Sequence, residues 1–170
     1  DTLIAQKNYV RITREYIDTL ERHGELLRVG ARVSPRFEIA EITDRMAKSE
    51  GGGKALLFEN TGTEFPVLTN MMGSDRRMAL ALGAESLDDI ARRIDSMLGR
   101  AKGSLVDKLR MLPLLADMSR WFPREASGRG ACQQVVLQGD EADIGRLPLL
   151  RSWEHDGGPF VTLPMVNTVD

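Results

Sequence analysis

Few side chains in this sequence are equipped for chemistry. Its 170 residues hold two histidines, His23 and His155, and one cysteine, Cys132. Zinc centres draw several such ligands into one tetrahedral shell, so none of the usual Cys/His kinds can be assembled here. A lone thiol at the head of an apolar run reads as a buried, inert hydrophobe rather than a nucleophile. His23 falls at the end of an expected helix, where a cation is favoured by the backbone dipole. Two glycine runs raise the question of phosphate binding. Gly51-Gly52-Gly53-Lys54 lies after a helix and before a strand, the reverse of the strand–loop–helix order of a phosphate loop, and no Ser or Thr follows the lysine. Asp156-Gly157-Gly158-Pro159 has the chemistry of a tight turn leading into a strand. The acid pairs Asp88-Asp89 and Asp140-Glu141 fit a helix start and a solvated loop, not paired catalytic carboxylates.

The elements that would position these residues follow from periodicity and punctuation. A first helix is expected over Arg14 to His23, with Thr13 as N-cap, Ile12 and Ile17 as a hydrophobic staple, and Tyr16, Ile17 and Leu20 as its apolar stripe. Gly24 supplies the left-handed C-cap. Glu25 to Val29 reads as a strand. A second helix should begin with Ser34 as cap and Pro35 at its first position, burying Ile39, Ile42 and Met46, until the three glycines break it. Lys54 to Glu59 has the texture of a buried strand, Asn60 to Glu64 of a turn, and Phe65 to Asn70 of a further strand. Ser74 caps a helix over Asp75 to Leu82 that Gly83 closes. Ser86 starts another, with Ile90, Ile94 and Met97 or Leu98 facing inward, and Ser104 a shorter one that must stop before Pro113.

After that the texture changes. Pro123 to Gly130 reads as a linker, Cys132 to Leu137 as a strand, and Gly158 to Val169 as an extended run, with only a turn near Asp140 to Ile144. The expected organisation is an α/β (mixed α+β) N-terminal domain over 1–122, a linker over 123–130, and the opening strands of a β-rich domain over 131–170. The sequence opens without Met and stops at Val169-Asp170, directly after a strand-like run, which fits a segment of a longer protein.

Composition sets outer bounds. Hydrophobic content of 42% and charged content of 28% are those of an ordinary globular domain. A single cysteine permits no internal disulfide, and neither a secretion signal nor a membrane-spanning run is legible, so a cytoplasmic location is expected. A net charge of −2, with bases dispersed among acids, gives no footprint for nucleic acid or an anionic membrane surface.

A string of short motifs then resembles the N-terminal region of the UbiD family of decarboxylases. Tyr16-Ile17-Asp18-Thr19-Leu20-Glu21-Arg22-His23-Gly24-Glu25-Leu26-Leu27-Arg28-Val29 resembles that family's opening helix and strand. Glu38-Ile39-Ala40-Glu41-Ile42, Ala55-Leu56-Leu57-Phe58-Glu59-Asn60, Phe65-Pro66-Val67-Leu68-Thr69-Asn70 and Met78-Ala79-Leu80-Ala81-Leu82-Gly83 follow in the family's order. Leu147-Pro148-Leu149-Leu150 and Asp156-Gly157-Gly158-Pro159-Phe160-Val161-Thr162 resemble the approach to its flavin domain. The ending, with Leu163-Pro164-Met165-Val166, is most similar to the branch assigned to menaquinone synthesis.

The resemblance implies a split β-barrel flavin domain beginning near residue 131. It also implies a non-oxidative carboxy-lyase acting on aromatic or α,β-unsaturated carboxylic acids in menaquinone or ubiquinone synthesis. Its implied cofactor is prenylated FMN, supplied by a separate flavin prenyltransferase and held with a divalent metal such as manganese and with potassium. Loss of CO2 from an sp² carbon needs an electron sink, which the modified flavin provides while the protein orients the reactants. A homo-oligomer is implied for the full-length enzyme. The family's metal-binding Asn, catalytic Arg and acids correspond to positions beyond Asp170, and Asn167 does not take the ligand role. Only Thr162 and Pro164, on a strand leading toward the cofactor pocket, carry over as cofactor-adjacent, and the chain by itself is expected to be inactive. Two other readings stand beside this one. The apolar run Met111 to Leu115, with Trp121 and Phe122, could make the α/β part an oligomerisation module, and a split-barrel reductase would bind unmodified FMN.

Overall fold

The computed structural model describes residues 13–101, 128 and 134–161, with side chains not described for 96–101. Helix α1 (Thr13–Arg22) leads to strand β1 (Leu26–Arg32), helix α2 (Glu38–Ala47), strand β2 (Ala55–Asn60), strand β3 (Val67–Thr69), helix α3 (Asp75–Ala81) and helix α4 (Leu87–Ala101). The strands form one sheet in the order β1-β2-β3. β1 pairs parallel to β2, from Leu26 opposite Ala55 to Arg32 opposite Asn60 across a bulge. β2 pairs antiparallel to β3. The result is the expected mixed α/β arrangement around a small sheet.

Alternation along β2 explains the layering. Residues 55–58 are all buried, and successive side chains leave opposite faces of the sheet. Leu56 and Phe58 join Ile39 of α2 and Val33 in one cluster, with Ile42, Met46 and Leu150 packed against it. Ala55 joins Tyr16 and Leu20 of α1 in a second, with Leu80 and Met71 packed against it. Of the stripes read from the two helices, Tyr16, Leu20 and Ile39 are buried, Ile42 and Met46 pack half-buried against the core, and Ile17 is half-buried outside both clusters.

Several ends follow the punctuation of the sequence. Gly24 adopts φ 70°, and the Glu25 amide donates to the Leu20 carbonyl as α1 closes. The Ser74 hydroxyl accepts from the Arg77 amide at the start of α3, and the Ser86 hydroxyl accepts from the Asp89 amide at the start of α4.

Other expectations need correction. α2 begins at Glu38, not beside Ser34-Pro35, because residues 35–37 are drawn into contact with the chain near residue 151. The Phe37 amide donates to the Arg151 carbonyl at 2.8 Å, and the Arg151 amide donates to the Pro35 carbonyl at 3.2 Å. β1 runs on to Arg32, since it can keep pairing with Asn60 past the bulge. β3 is shorter than expected: Pro66 has no amide to donate, and the hydroxyls of Thr61 and Thr63 hold the Phe65 carbonyl in the preceding turn. Ile94, expected to face inward, is 51% exposed. Residues 134–137 are irregular and exposed rather than a strand, and among the described residues no strand pairs with them. Among the described residues, the sheet-like pairings of 134–161 are isolated bridges, Arg36 with Arg151 and Leu150 with Phe160. Two short 3-10 turns, Gly139–Glu141 and Ile144–Arg146, stand where a turn was expected. Among the described residues no helix is long and apolar enough to cross a membrane.

Candidate functional site

The polar interior is built around Arg77. This side chain of α3 is completely buried, which requires that its charge be met by partners. One terminal nitrogen donates to the Glu25 carboxylate at 3.1 Å and to the Gly53 carbonyl, and the other donates to the Gly52 carbonyl at 2.9 Å. Arg76 reaches the second oxygen of Glu25 at 3.2 Å. The Asn70 amide group donates to the carbonyls of Gly52 and Lys54 at 2.8 and 2.9 Å. Above this cluster the Tyr16 hydroxyl lies 2.8 Å from the carbonyl oxygens of both Met71 and Arg77, so its single proton serves one at a time. Burial pushes the Tyr16 phenol above its ordinary value, with Arg77 opposing and Glu25 adding to the rise.

The same contacts settle the glycine run. The Gly52 and Gly53 amides donate to Ser49 and Glu50 carbonyls, while their own carbonyls point at Arg77. Inward carbonyls and occupied amides are the opposite of a phosphate cradle. Nor is there room for a side chain: a Cβ on Gly52 would overlap the Gly73 carbonyl, and one on Gly53 the Met46 carbonyl.

A second assembly lies where residues 150–156 meet the start of α2. Phe37 sits at φ 71°, ψ −42°, and the Glu38 amide donates to the Arg36 carbonyl at 2.9 Å across it. That is a γ-turn of the rarer, strained hand, unusual for a bulky residue. The backbone contacts to Arg151 hold it there, and the guanidinium groups of Arg36 and Arg151 lie 5.2 and 5.6 Å from the centre of its ring. The Asp156 carboxylate accepts from the Ser152 and Trp153 amides at 3.1 and 2.8 Å, and its own amide donates to the Trp153 carbonyl. The hydrogen-bonded turn is therefore 153–156, upstream of the expected Asp156-Gly157-Gly158-Pro159, where residues 157–158 form only a bend before Phe160.

Between α2 and this turn runs a groove of about 500 Å3. Phe37, Ala40 and Trp153 give it apolar walls; Glu38, Glu41, Asp44 and Glu154 give it carboxylates on both sides. Trp153 is 72% exposed. The acidic lining does not fit a flavin phosphate or a carboxylate substrate, which it would repel. Among the described residues no group of three or more His, Cys, Asp or Glu stands as a metal cluster.

Thr162 and Pro164 lie outside the described residues, as do Cys132, Asn167, Met111 to Leu115, Trp121 and Phe122, and all of the 123–130 linker except residue 128. The run toward Thr162 is anchored by the Phe160 amide, which donates to the Leu150 carbonyl at 2.8 Å. His23 hydrogen-bonds through Nδ1 with the Thr19 carbonyl oxygen at the end of α1, and Asp89 pairs with Arg93 in the first turns of α4. Both fill the structural roles expected of them. Arg77, Glu25 and Phe37 were not singled out from sequence. The signal available was weak: an arginine at a position three before Leu80 on a short apolar helix.

A family model for the N-terminal domain of 3-octaprenyl-4-hydroxybenzoate carboxy-lyase matches residues 17–97. A model for the Rift-related domain of the same carboxy-lyase matches residues 124–170. An uncharacterised protein of Aquifex aeolicus is 41% identical over 162 residues, which covers 94% of this chain and 33% of the relative. One from Archaeoglobus fulgidus is 40% identical over 158 residues, covering 92% of this chain and 31% of the relative. The chain thus spans about a third of the length of the curated relatives it matches. Among solved structures, vanillic acid decarboxylase of Sedimentibacter hydroxybenzoicus in an open form superposes with a TM-score of 0.55 at 29% identity, covering 86% of this chain and 28% of that one.

Proposed function

This chain belongs to the UbiD family of carboxy-lyases, and from that premise we propose that it forms part of a non-oxidative decarboxylase of aromatic or α,β-unsaturated carboxylic acids. The observation that carries the proposal is the occurrence of both family domains, in order, over residues 17–97 and 124–170. The likeness to a decarboxylase of known structure supports the same reaction class. The proposed setting is cytoplasmic quinone synthesis, of menaquinone or ubiquinone, in a homo-oligomeric enzyme.

The proposed cofactor is prenylated FMN from a separate prenyltransferase, with a divalent metal and potassium. The groove described above does not fit its phosphate, so the cofactor is assigned to the split-barrel flavin domain that residues 131–170 begin. Thr162 and Pro164 remain the cofactor-adjacent residues of this reading. The part of the described residues is to act as scaffold: the Arg77 cluster fixes α3 and the glycine run against the sheet, and the Arg151 contacts fix the approach to the flavin domain. The chain alone is proposed to be inactive.

The test is to produce the full-length protein together with a flavin prenyltransferase and to assay CO2 release from a panel of aromatic acids that includes 4-hydroxybenzoates and vanillate. The expected result is turnover by the full-length protein and neither turnover nor stoichiometric flavin binding by residues 1–170. A cofactor-loaded full-length protein that decarboxylates nothing on the panel overturns the reaction. Tight flavin binding by the 170-residue chain overturns the division of labour.

A further inference from the structure

Apolar exposure in this molecule is concentrated. Eight of the thirteen exposed large hydrophobic side chains among the described residues fall between 134 and 161, including Val135, Trp153, Phe160 and Val161. Single exposed hydrophobics need no explanation, but a cluster on one short segment marks a surface that is covered in use. The groove beside Trp153 is its concave part, apolar in its walls and carrying four carboxylates.

We propose that this groove is the docking surface for a lysine- or arginine-bearing apolar segment of the same protein, contributed from beyond these 170 residues. Several observations select that occupant. The relatives matched by this chain are about three times its length, so polypeptide is at hand to cover the face. The carboxylates call for a basic partner, since charges of one sign facing each other across an interface are strongly disfavoured. Glu41 and Asp44 already meet Arg45 and Lys48 at 2.6 Å, but all four side chains are 47% exposed or more. Such solvent-facing pairs are weak, and an incoming cation competes with them readily. A second copy of the chain related by a two-fold axis through the groove would set acidic wall against acidic wall. The absence of a carboxylate cluster fit for a metal, among the described residues, leaves a peptide cation with an apolar stem as the matching chemistry.

Hydroxyl-radical footprinting of the full-length protein, read residue by residue by mass spectrometry, tests the proposal without reference to turnover, so it stands or falls apart from the decarboxylase reading. Trp153 should be modified about tenfold more slowly than its 72% exposure implies, approaching buried Phe58 rather than exposed Phe65, as a docked state populated nine-tenths of the time or so requires. The double variant Glu41→Lys with Glu154→Lys should restore rapid modification of Trp153 while Phe58 stays protected. Asp18→Lys on the far helix α1 serves as the control for net charge and should change nothing. Rapid modification of Trp153 in the unaltered full-length protein overturns docking altogether. Protection that survives the double charge reversal overturns the basic occupant. Protection that fades on dilution assigns the face to a second copy instead and overturns the intramolecular assignment.

Discussion

The Tyr16 hydroxyl stands 2.8 Å from the backbone carbonyl of Arg77, a residue 61 positions further along the chain. Through this contact α1 is tied to α3. Tyr16→Phe keeps the ring in the core and removes only the donor. It should cost about 1–2 kcal/mol, the range for removing a hydrogen bond and leaving a buried acceptor short. A shift of the urea midpoint with an unchanged slope would report it; an unaltered midpoint would show the contact to be idle.

The same hydroxyl sets an alkaline limit. Burial raises the Tyr16 phenol above 10.0, so the folded state keeps a proton that the unfolded chain gives up first. Its contribution is complete below 10.0 and is lost as pH climbs past that value toward the raised folded one. The stability gap between the unaltered chain and Tyr16→Phe should therefore narrow above pH 10.0. Denaturation curves on either side of that pH give the answer, and a gap that widens contradicts the assignment.

Arg77→Met preserves bulk and deletes the charge. Glu25 and the carbonyls of Gly52 and Gly53 are then left facing an apolar side chain, a loss of about 3–5 kcal/mol. Arg77→Lys keeps the charge but lacks the planar fork that reaches the carboxylate and both carbonyls, so it should fall between the two. Combining Arg77→Met with Glu25→Gln should cost less than the separate losses added together. Strict additivity in that cycle would mean the two residues act independently.

The sequence was legible where one residue suffices to set the local backbone. Ser74, Ser86 and Gly24 mark helix ends because a cap needs only its neighbours. The faces of α1 and α2 were legible because burial repeats with the helical period. Ser34-Pro35 misled for the same reason in reverse: the local start signal is sound, but Arg151, more than a hundred residues on, takes the backbone first. Arg77 was illegible because the partners that make its burial tolerable are mostly backbone carbonyls brought by other parts of the chain, which leave no side-chain signature. Val135, Val136 and Leu137 have strand-forming side chains, yet a strand exists only where a neighbour completes its ladder. Of the candidate site, the turn was read at 156–159 from its glycines but closes at 153–156, where the Asp156 side chain reaches back to the Ser152 and Trp153 amides. The acidic groove was not readable, since its two walls are distant in sequence.

Phe37 offers a test of backbone strain. Phe37→Ala removes the ring and keeps a Cβ at φ 71°, whereas Phe37→Gly removes the ring and relieves the strained turn. Glycine should therefore be the more stable of the two by about 1 kcal/mol, the reverse of the usual order at helix starts and interiors. Thermal melts of the pair decide it, and an alanine variant as stable as the glycine one would show that the γ-turn relaxes once the ring has gone.

The parallel pairing of β1 with β2 has a consequence for the order of assembly. Neighbouring strands that run the same way cannot be zipped from a tight turn; the intervening α2 has to be laid across the sheet first. During synthesis β1 thus waits, unpaired, until Asn60 has left the ribosome, while the β2–β3 ladder closes over a short link. Refolding should accordingly be slowed by trimming α2, as in Ile42→Val, more than by an equal destabilisation of the turn at Thr61 and Thr63. Closure of β1 onto β2 is thus the step expected to set the pace of refolding.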